Sequence, residues 1–188
     1  MYQQELRIPL ERVGVVVGKS GEIKKHLEQK IKGKVDIDSK SGEVVLSGED
    51  PIVLMDCRVV VQAIGRGFAP EIAFTLFSEE NIMEIVDITQ FTGKSKKAME
   101  RLKGRVIGAD GKARKMIEGI TESAVSVYGK TVAVIGEIER VSLARRAVEM
   151  LLSGSPHGNV YRWLEDKRRE LNRRSFRQDA GILNNIID

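Results

Sequence analysis

Two hydrophobic periods alternate along this 188-residue chain, and the switches between them mark its elements. Ile23, Leu27 and Ile31 recur at helical spacing, the stripe of an amphipathic helix with one buried face. Lys34-Val35-Asp36-Ile37-Asp38 then alternates polar and apolar, as a half-buried strand does. Ser39-Lys40-Ser41-Gly42 is turn chemistry, and Glu43 to Leu46 returns as the next strand. Asp50 and Pro51 form a helix start, a capping side chain followed by a ring that fits the first helical position, and the helix runs to about Ile64. Upstream, Glu5 to Leu10 reads as a strand, followed by a short helix. The order is β-α-α-β-β-α.

The same order recurs. With Gly18 placed over Gly108, Gly14-Val-Val-Val-Gly18-Lys19-Ser20-Gly21 aligns with Gly104-Arg105-Val106-Ile107-Gly108-Ala109-Asp110-Gly111. Three glycines coincide, as do the apolar pair before the loop and the basic pair after it. Ala113, Ile117 and Ile120 repeat the helical stripe, and Val125 and Val127 fall on Val35 and Ile37. Ser126-Val127-Tyr128, a Gly129-Lys130 turn and Thr131 to Ile135 form a tighter hairpin. Val141, Ala144, Val148 and Leu151 mark the closing helix, and Glu84 to Phe91 is the counterpart of the first strand. A repeated supersecondary unit implies two modules of one fold. The fold class is therefore α+β: two three-stranded antiparallel sheets, each with helices on one face. The divisions are 1–67, a connecting segment 68–81 with a helix from Pro70 to Phe77, a second module 82–154, a basic helix 155–177 and a tail 178–188 without periodicity.

Charge changes the picture by its distribution. The net value is +4, yet residues 12–34 hold seven Lys/Arg against two acids and residues 94–115 hold nine against two. Residues 157–177 hold seven against three, whereas 71–93 hold five acids and no Lys or Arg. Segregated cations suit a polyanionic partner, although solvated helix faces would read the same way. A single cysteine, Cys57, excludes an internal disulfide and a cysteine-rich zinc site, and its mid-helix place fits a small core residue. With two histidines, no metal or organic cofactor is implied. No apolar run approaches the roughly 20 residues of a membrane span, and Met1 to Glu5 resembles no secretory segment, which points to a soluble cytoplasmic protein.

The chemistry sits at the Gly-x-x-Gly loops. Glycines leave room for a phosphate, and the helix that follows offers unpaired N–H groups and the positive end of its dipole. Gly18, Lys19, Ser20 and Gly21, with Lys24 and Lys25, form the first candidate site. Gly108, Ala109, Asp110 and Gly111, with Arg105, Lys112, Arg114 and Lys115, form the second. Val35, Ile37, Val125 and Val127 would floor an apolar groove beside each loop. Asp110 is repulsive to phosphate unless it points away or caps the helix.

These units resemble KH domains of the β-α-α-β-β-α type, whose signature is an aliphatic pair, Gly-x-x-Gly and an aliphatic helix, matched by Val16-Val17-Gly18 and Val106-Ile107-Gly108. The resemblance implies that each loop clamps roughly four nucleotides of a single strand. The nine aromatics lie mostly outside the grooves, unlike folds that stack bases on aromatic platforms. Asp87-Ile88-Thr89-Gln90-Phe91-Thr92-Gly93-Lys94-Ser95, Arg101 to Gly108, Ser126 to Thr131 and Ser155-Pro156-His157-Gly158-Asn159-Val160-Tyr161 narrow the likeness. They are similar to the KH proteins of small-subunit ribosome assembly, the dimethylase-interacting partner-of-Nob family, in its archaeal branch. Membership implies non-catalytic binding of single-stranded small-subunit rRNA near its 3′ end. Alternatives are a KH-fold scaffold for assembly or translation proteins, or a general mRNA-binding KH protein.

Three segments imitate other functions. Val13 to Ser20 nearly spells an NTPase phosphate loop, but Gly14 lies one residue too close to Gly18-Lys19-Ser20 and three valines fill the cradle. His157 has no nucleophile or acid pair at a recognisable spacing, so packing or capping suits it better, and Tyr161 and Trp163 suit anchoring of the last helix. His26 occupies the slot of Met116, a packing or rim position. Arg168, Arg169, Arg173, Arg174 and Arg177 form the densest charge run, a further basic surface for phosphate or protein.

Overall fold

The computed structural model describes residues 1–93 and 95–187, the side chains of 174–187 excepted. Strand β1 (Tyr2–Arg7) leads to α1 (Leu10–Val17), α2 (Glu22–Ile31), the hairpin β2 (Lys34–Ile37) and β3 (Glu43–Gly48), and α3 (Pro51–Gly65). A short helix α4 (Pro70–Phe74) and a 3-10 turn (Thr75–Phe77) cross to the second module. There β4 (Asn81–Asp87) and a single turn α5 (Thr89–Thr92) precede α6 (Lys96–Ile107) and α7 (Lys112–Thr121). The hairpin β5 (Ala124–Tyr128) and β6 (Thr131–Glu137), then α8 (Ile138–Leu152) and α9 (His157–Ile187) complete the chain. Each sheet is antiparallel, in the order β1-β3-β2 or β4-β6-β5.

Local chemistry explains the boundaries. Asp50 accepts from Ile52 N–H at 2.9 Å and Val53 N–H at 3.4 Å, with Pro51 at the first helical position. The first strand of each module ends earlier than its pattern suggests, at Arg7 rather than Leu10 and at Asp87 rather than Phe91. Pro9 has no N–H for a ladder, and helix α1 begins immediately after it. In the second module, Asp87 Oδ1 accepts from the Thr89 N–H at 2.8 Å and hydroxyl at 2.7 Å, which turns the chain into α5. The equivalent residues Ile8 and Ile88 then donate backbone N–H groups to Gly42 and Lys130 carbonyls, both at 2.9 Å. The last helix continues beyond Arg177 to Ile187 without the break its pattern suggested.

The modules share a core. Val132 and Val134 of β6 face the cluster under α6, α7 and α8, whereas Ala133 and Ile135 join the cluster of the first module. Met83, Ile85 and Ala124 extend that second face against Phe68, Ala73 and Leu76. Strand β6 is therefore apolar on both sides, which is why Thr131 to Ile135 reads as a continuous run rather than an alternation. At the sheet's end, Ser126 Oγ donates to the Arg66 carbonyl at 2.8 Å, and the Tyr128 hydroxyl donates to Glu11 Oε1 at 2.6 Å. That hydroxyl holds the exposed Glu11 carboxyl below its ordinary 4.5. The contribution is present above that value and lost as pH falls through the depressed one. Cys57 is enclosed in the first core, and burial pushes its thiol up to about 12, which keeps it protonated.

Because Ile135 is 2% exposed between the modules, Ile135→Ala should cost about 2–5 kcal/mol. Urea unfolding should show a lower midpoint; an unchanged midpoint would mean that the modules are not joined through β6.

Candidate nucleic-acid interface

The two loops have one backbone despite different sequences. Gly18 adopts φ 77° and ψ 172°, and Gly108 adopts 73° and 174°. Ser20 and Asp110 follow at φ 54° and 53°, then Gly21 and Gly111 at 80° and 76°. A Cβ on Gly18 would lie 2.5 Å from Ile23 Cγ1 and 2.8 Å from Ile23 N, and one on Gly108 would lie 2.7 Å from Ala113 Cβ. The first glycine is thus required by close approach to the next helix, the second by its left-handed φ. The middle position is left-handed too, which explains a serine or aspartate there, since short polar side chains tolerate that region best.

This turn leaves the starts of α2 and α7 without a side-chain cap. The N–H groups of Glu22 and Lys112 turn back to the Lys19 and Ala109 carbonyls, so the N–H groups that follow in the first turn of each helix are the ones without an intrahelical partner, at the positive end of the dipole. Lys19, Lys25, Lys112 and Lys115 are exposed around them and make no ion pair among the described residues. Asp110 is exposed and does not cap α7, so its charge stays at the second loop and weakens that site's field.

Beside each loop lies the outer edge of a sheet. Asp38 N–H bonds to the Glu43 carbonyl at 2.9 Å, so alternation turns the backbone of Val35 and Ile37 away from β3. The pairing of Tyr128 with Thr131 around the two-residue turn does the same for Val125 and Val127. Glu28 Oε1 accepts the Val35 N–H at 3.2 Å, and Glu118 Oε1 accepts the Val125 N–H at 2.9 Å. Lys24 and Arg114 lie 3.8 Å from these two carboxylates. Arg114 Nε is itself buried without a hydrogen-bond acceptor. Val35 and Val125 are buried, so they support the groove from beneath instead of lining it. Ile37 and Val127 are partly exposed and form its open floor.

Two models of known families match this arrangement: the KH domain over residues 3–63, and the eukaryotic type KH-domain (KH-domain type I) over 82–169. A KH domain-containing protein of Methanocaldococcus jannaschii is 46% identical over 175 residues, covering 91% of this chain and 76% of that protein. The crystal structure of an a/eIF2alpha-aDim2p-rRNA complex from Pyrococcus horikoshii OT3 contains a chain 42% identical, with a TM-score of 0.82 over 90% of this chain and 95% of that one. The chain belongs to the two-KH-domain family of PNO1 and archaeal Dim2 proteins. The pre-rRNA-processing protein PNO1 of Chaetomium thermophilum is 30% identical over 54% of this chain, a stretch that makes up 40% of that longer protein.

Within the second KH domain, Arg105 does not serve the loop. Its Nε donates to the Leu151 carbonyl at 3.0 Å and its Nη2 to the Ser155 carbonyl at 2.6 Å, tying down the end of α8. Arg12 does the same for the first KH domain, donating to the Ile64 carbonyl at 2.7 Å and the Phe68 carbonyl at 2.6 Å. Spacing hides this likeness, because the two arginines are 93 residues apart and the repeat is 90. His157 shares the lock, its Nε2 lying 2.8 Å from the Arg105 carbonyl oxygen. On α9, Val160 and Leu164 are buried and Trp163 packs against the same core. Arg168 faces Glu122 at 3.4 Å, and Arg173 Nε donates to the Arg169 carbonyl at 3.2 Å, while the side chains of Arg174 and Arg177 lie outside the described residues. His26 is exposed, 4.7 Å from the Phe74 ring.

One matched pair of residues lies outside the site residues that sequence reasoning singled out. Gly14 in α1 and Gly104 in α6 occupy the same place in both KH domains, each exposed, with nothing within 4 Å of where a side-chain methyl would stand. Helical glycine costs roughly 0.5–1 kcal/mol relative to alanine. Among the described residues no contact demands it at either position, and the helical Gly119 and Gly158 are equally open. The coincidence of three glycines per copy was the available signal.

Arg105→Ala should lower stability by about 1–3 kcal/mol through its orphaned carbonyls. Arg105→Lys should recover little, because a lysine cannot reproduce the fork. Full recovery by lysine in thermal unfolding would show that charge alone matters.

Proposed function

We propose that this protein binds single-stranded small-subunit rRNA near its 3′ end during ribosome assembly, in the cytoplasm and without catalysing a reaction. The working units are residues 1–67 and 82–154, joined by 68–81. Phosphates lie on the uncapped starts of α2 and α7, attracted by Lys19 and Lys25 or by Lys112 and Lys115. Bases lie across Gly14 or Gly104 and reach the outer edge of β2 or β5 beside Ile37 or Val127. The carrying observation is the pair of loops with matching backbone angles, helices without a side-chain cap, and Lys19, Lys25, Lys112 and Lys115 exposed without an ion pair among the described residues. The choice of rRNA rests on the pre-rRNA-processing relative and on the related chain solved with rRNA. That complex also contains a/eIF2alpha, which favours a second, compatible reading in which this protein docks a translation factor while holding RNA.

Binding to short RNAs from the 3′ end of small-subunit rRNA, with scrambled controls, tests the reading. Lys19→Asp with Ser20→Asp should weaken binding and flatten its salt dependence, as should Ala109→Asp with Lys112→Asp. Each lost phosphate contact should lower the slope of log affinity against log salt by about 0.7. The serine substitution keeps the loop, because aspartate already occupies that conformation at Asp110. Wild-type affinity in both folded variants would leave the docking reading alone.

The helical glycines separate function from stability. Gly14→Ala and Gly104→Ala should each raise stability by roughly 0.5–1 kcal/mol yet weaken RNA binding. Stabilised variants with unaltered affinity would show that no base passes over these helices.

A further inference from the structure

A third cationic feature lies away from both loops. Between the end of β1 and the last turns of α3 is a cleft of about 490 Å³ whose lining includes Arg7, Arg58 and Arg66 and no acidic residue. Arg58, Gln62 and Arg66 lie four residues apart and share one face of the helix end, with Arg7 and Pro9 opposite. Most other arginines of the described chain are committed. Arg140, Arg145, Arg146 and Arg168 pair with glutamates, and Arg12 and Arg105 hold carbonyls. Arg58 is only half-exposed yet has no hydrogen bond or ion pair among the described residues. Arg7 gives its Nε to the Ser41 carbonyl at 2.8 Å, and Arg66 makes one long bond of 3.4 Å to Thr131 Oγ1, so both keep donors to spare.

Nearby acids do not fill the cleft. Glu43 faces Arg7 across the β1–β3 ladder and, with Glu5, lines the adjoining hollow instead. Asp87 feels Arg66 and Lys130 but is bonded to Thr89, and Glu11 is bonded to Tyr128. A helix C-terminus disfavours an anion, yet Arg12 already covers the Ile64 carbonyl there.

We propose that this arginine cleft binds a phosphate group of the RNA strand as it leaves the groove of the first KH domain. Pro9 lines the cleft and directly precedes α1, whose exposed Leu10 and Gly14 lead along the same helix to the Gly18 loop. Helix α1 has eight residues, a length of about 12 Å at 1.5 Å per residue. A strand longer than the roughly four nucleotides that one loop clamps would extend beyond the groove, and the cleft offers guanidinium forks suited to phosphate at that end. The assignment rests on the single-stranded RNA reading above.

The test compares a twelve-nucleotide and a four-nucleotide RNA on wild-type protein, Arg58→Ala, Arg58→Lys and Arg7→Ala with Arg66→Ala. Thermal unfolding monitors the fold, and Lys19→Asp with Ser20→Asp serves as the loop control. Arg58→Ala should weaken the longer RNA by about tenfold, lower its salt slope by about 0.7 and leave the shorter one unchanged. Arg58→Lys should retain part of the difference. Unchanged binding of the longer RNA in both alanine variants, while the loop control loses it, would overturn the cleft assignment and spare the KH reading. Inorganic phosphate that stabilises wild type but not Arg58→Ala, with RNA affinity unaltered, would assign the cleft to a free anion and likewise overturn it. Failure of wild type to bind either RNA would overturn both.

Discussion

Helix α1 must hand the chain to α2 within four residues, and the contact between Gly18 and Ile23 leaves no room for a side chain where it does so. Everything useful at the first loop follows from that close approach. The loop is too short to bring back a capping side chain, so beyond Glu22, whose N–H returns to the Lys19 carbonyl, the N–H groups of the first helical turn stay open. The second KH domain meets the same constraint with Gly108 against Ala113 and reaches the same angles with Ala109 and Asp110 in place of Lys19 and Ser20. Backbone geometry is therefore the invariant part of the site, and side-chain charge is what varies between its copies. Two loops of one shape and unequal charge are suited to unequal shares of one ligand.

Charge is divided by residue type. Most guanidinium groups near the sites serve structure: Arg12 and Arg105 fasten the ends of α3 and α8, and Arg114 stands by Glu118. Lys19, Lys25, Lys112 and Lys115 stay exposed and make no ion pair among the described residues, while Lys24 pairs with Glu28. Planar forks suit fixed carbonyls and carboxylates, while flexible ammonium groups suit a backbone whose phosphates shift with sequence. Raw counts of Lys and Arg miss this division, which is why Arg105 looks like a ligand contact until its partners are known. Arg58 breaks the pattern as a half-exposed arginine with neither duty.

Much of the architecture was legible because the chain states it twice. Gly-x-x-Gly, the helical stripes and both hairpins each carry a local signal, and their agreement at a 90-residue offset fixes the element order. Strand ends were less legible, because Pro9 and the Asp87–Thr89 turn act over two or three residues inside a longer apolar pattern. Joining of the modules was written in Thr131 to Ile135, but a run without alternation does not say what covers its second face. The burial of Val35 and Val125 beneath the groove could not be separated in sequence from the partial exposure of Ile37 and Val127, since both pairs occupy the same strand phase. The duplicated helix lock was hidden because its arginines differ in register.

The most direct measurement is a backbone-amide NMR titration of the intact protein with a short single-stranded RNA from the 3′ end of small-subunit rRNA. Phosphate held on uncapped helix starts predicts that the largest shifts fall on the amides of residues 20–24 and 110–114 and that added salt reverses them. Shifts confined to α9 or to other surfaces, with both loops unmoved at saturation, would contradict it.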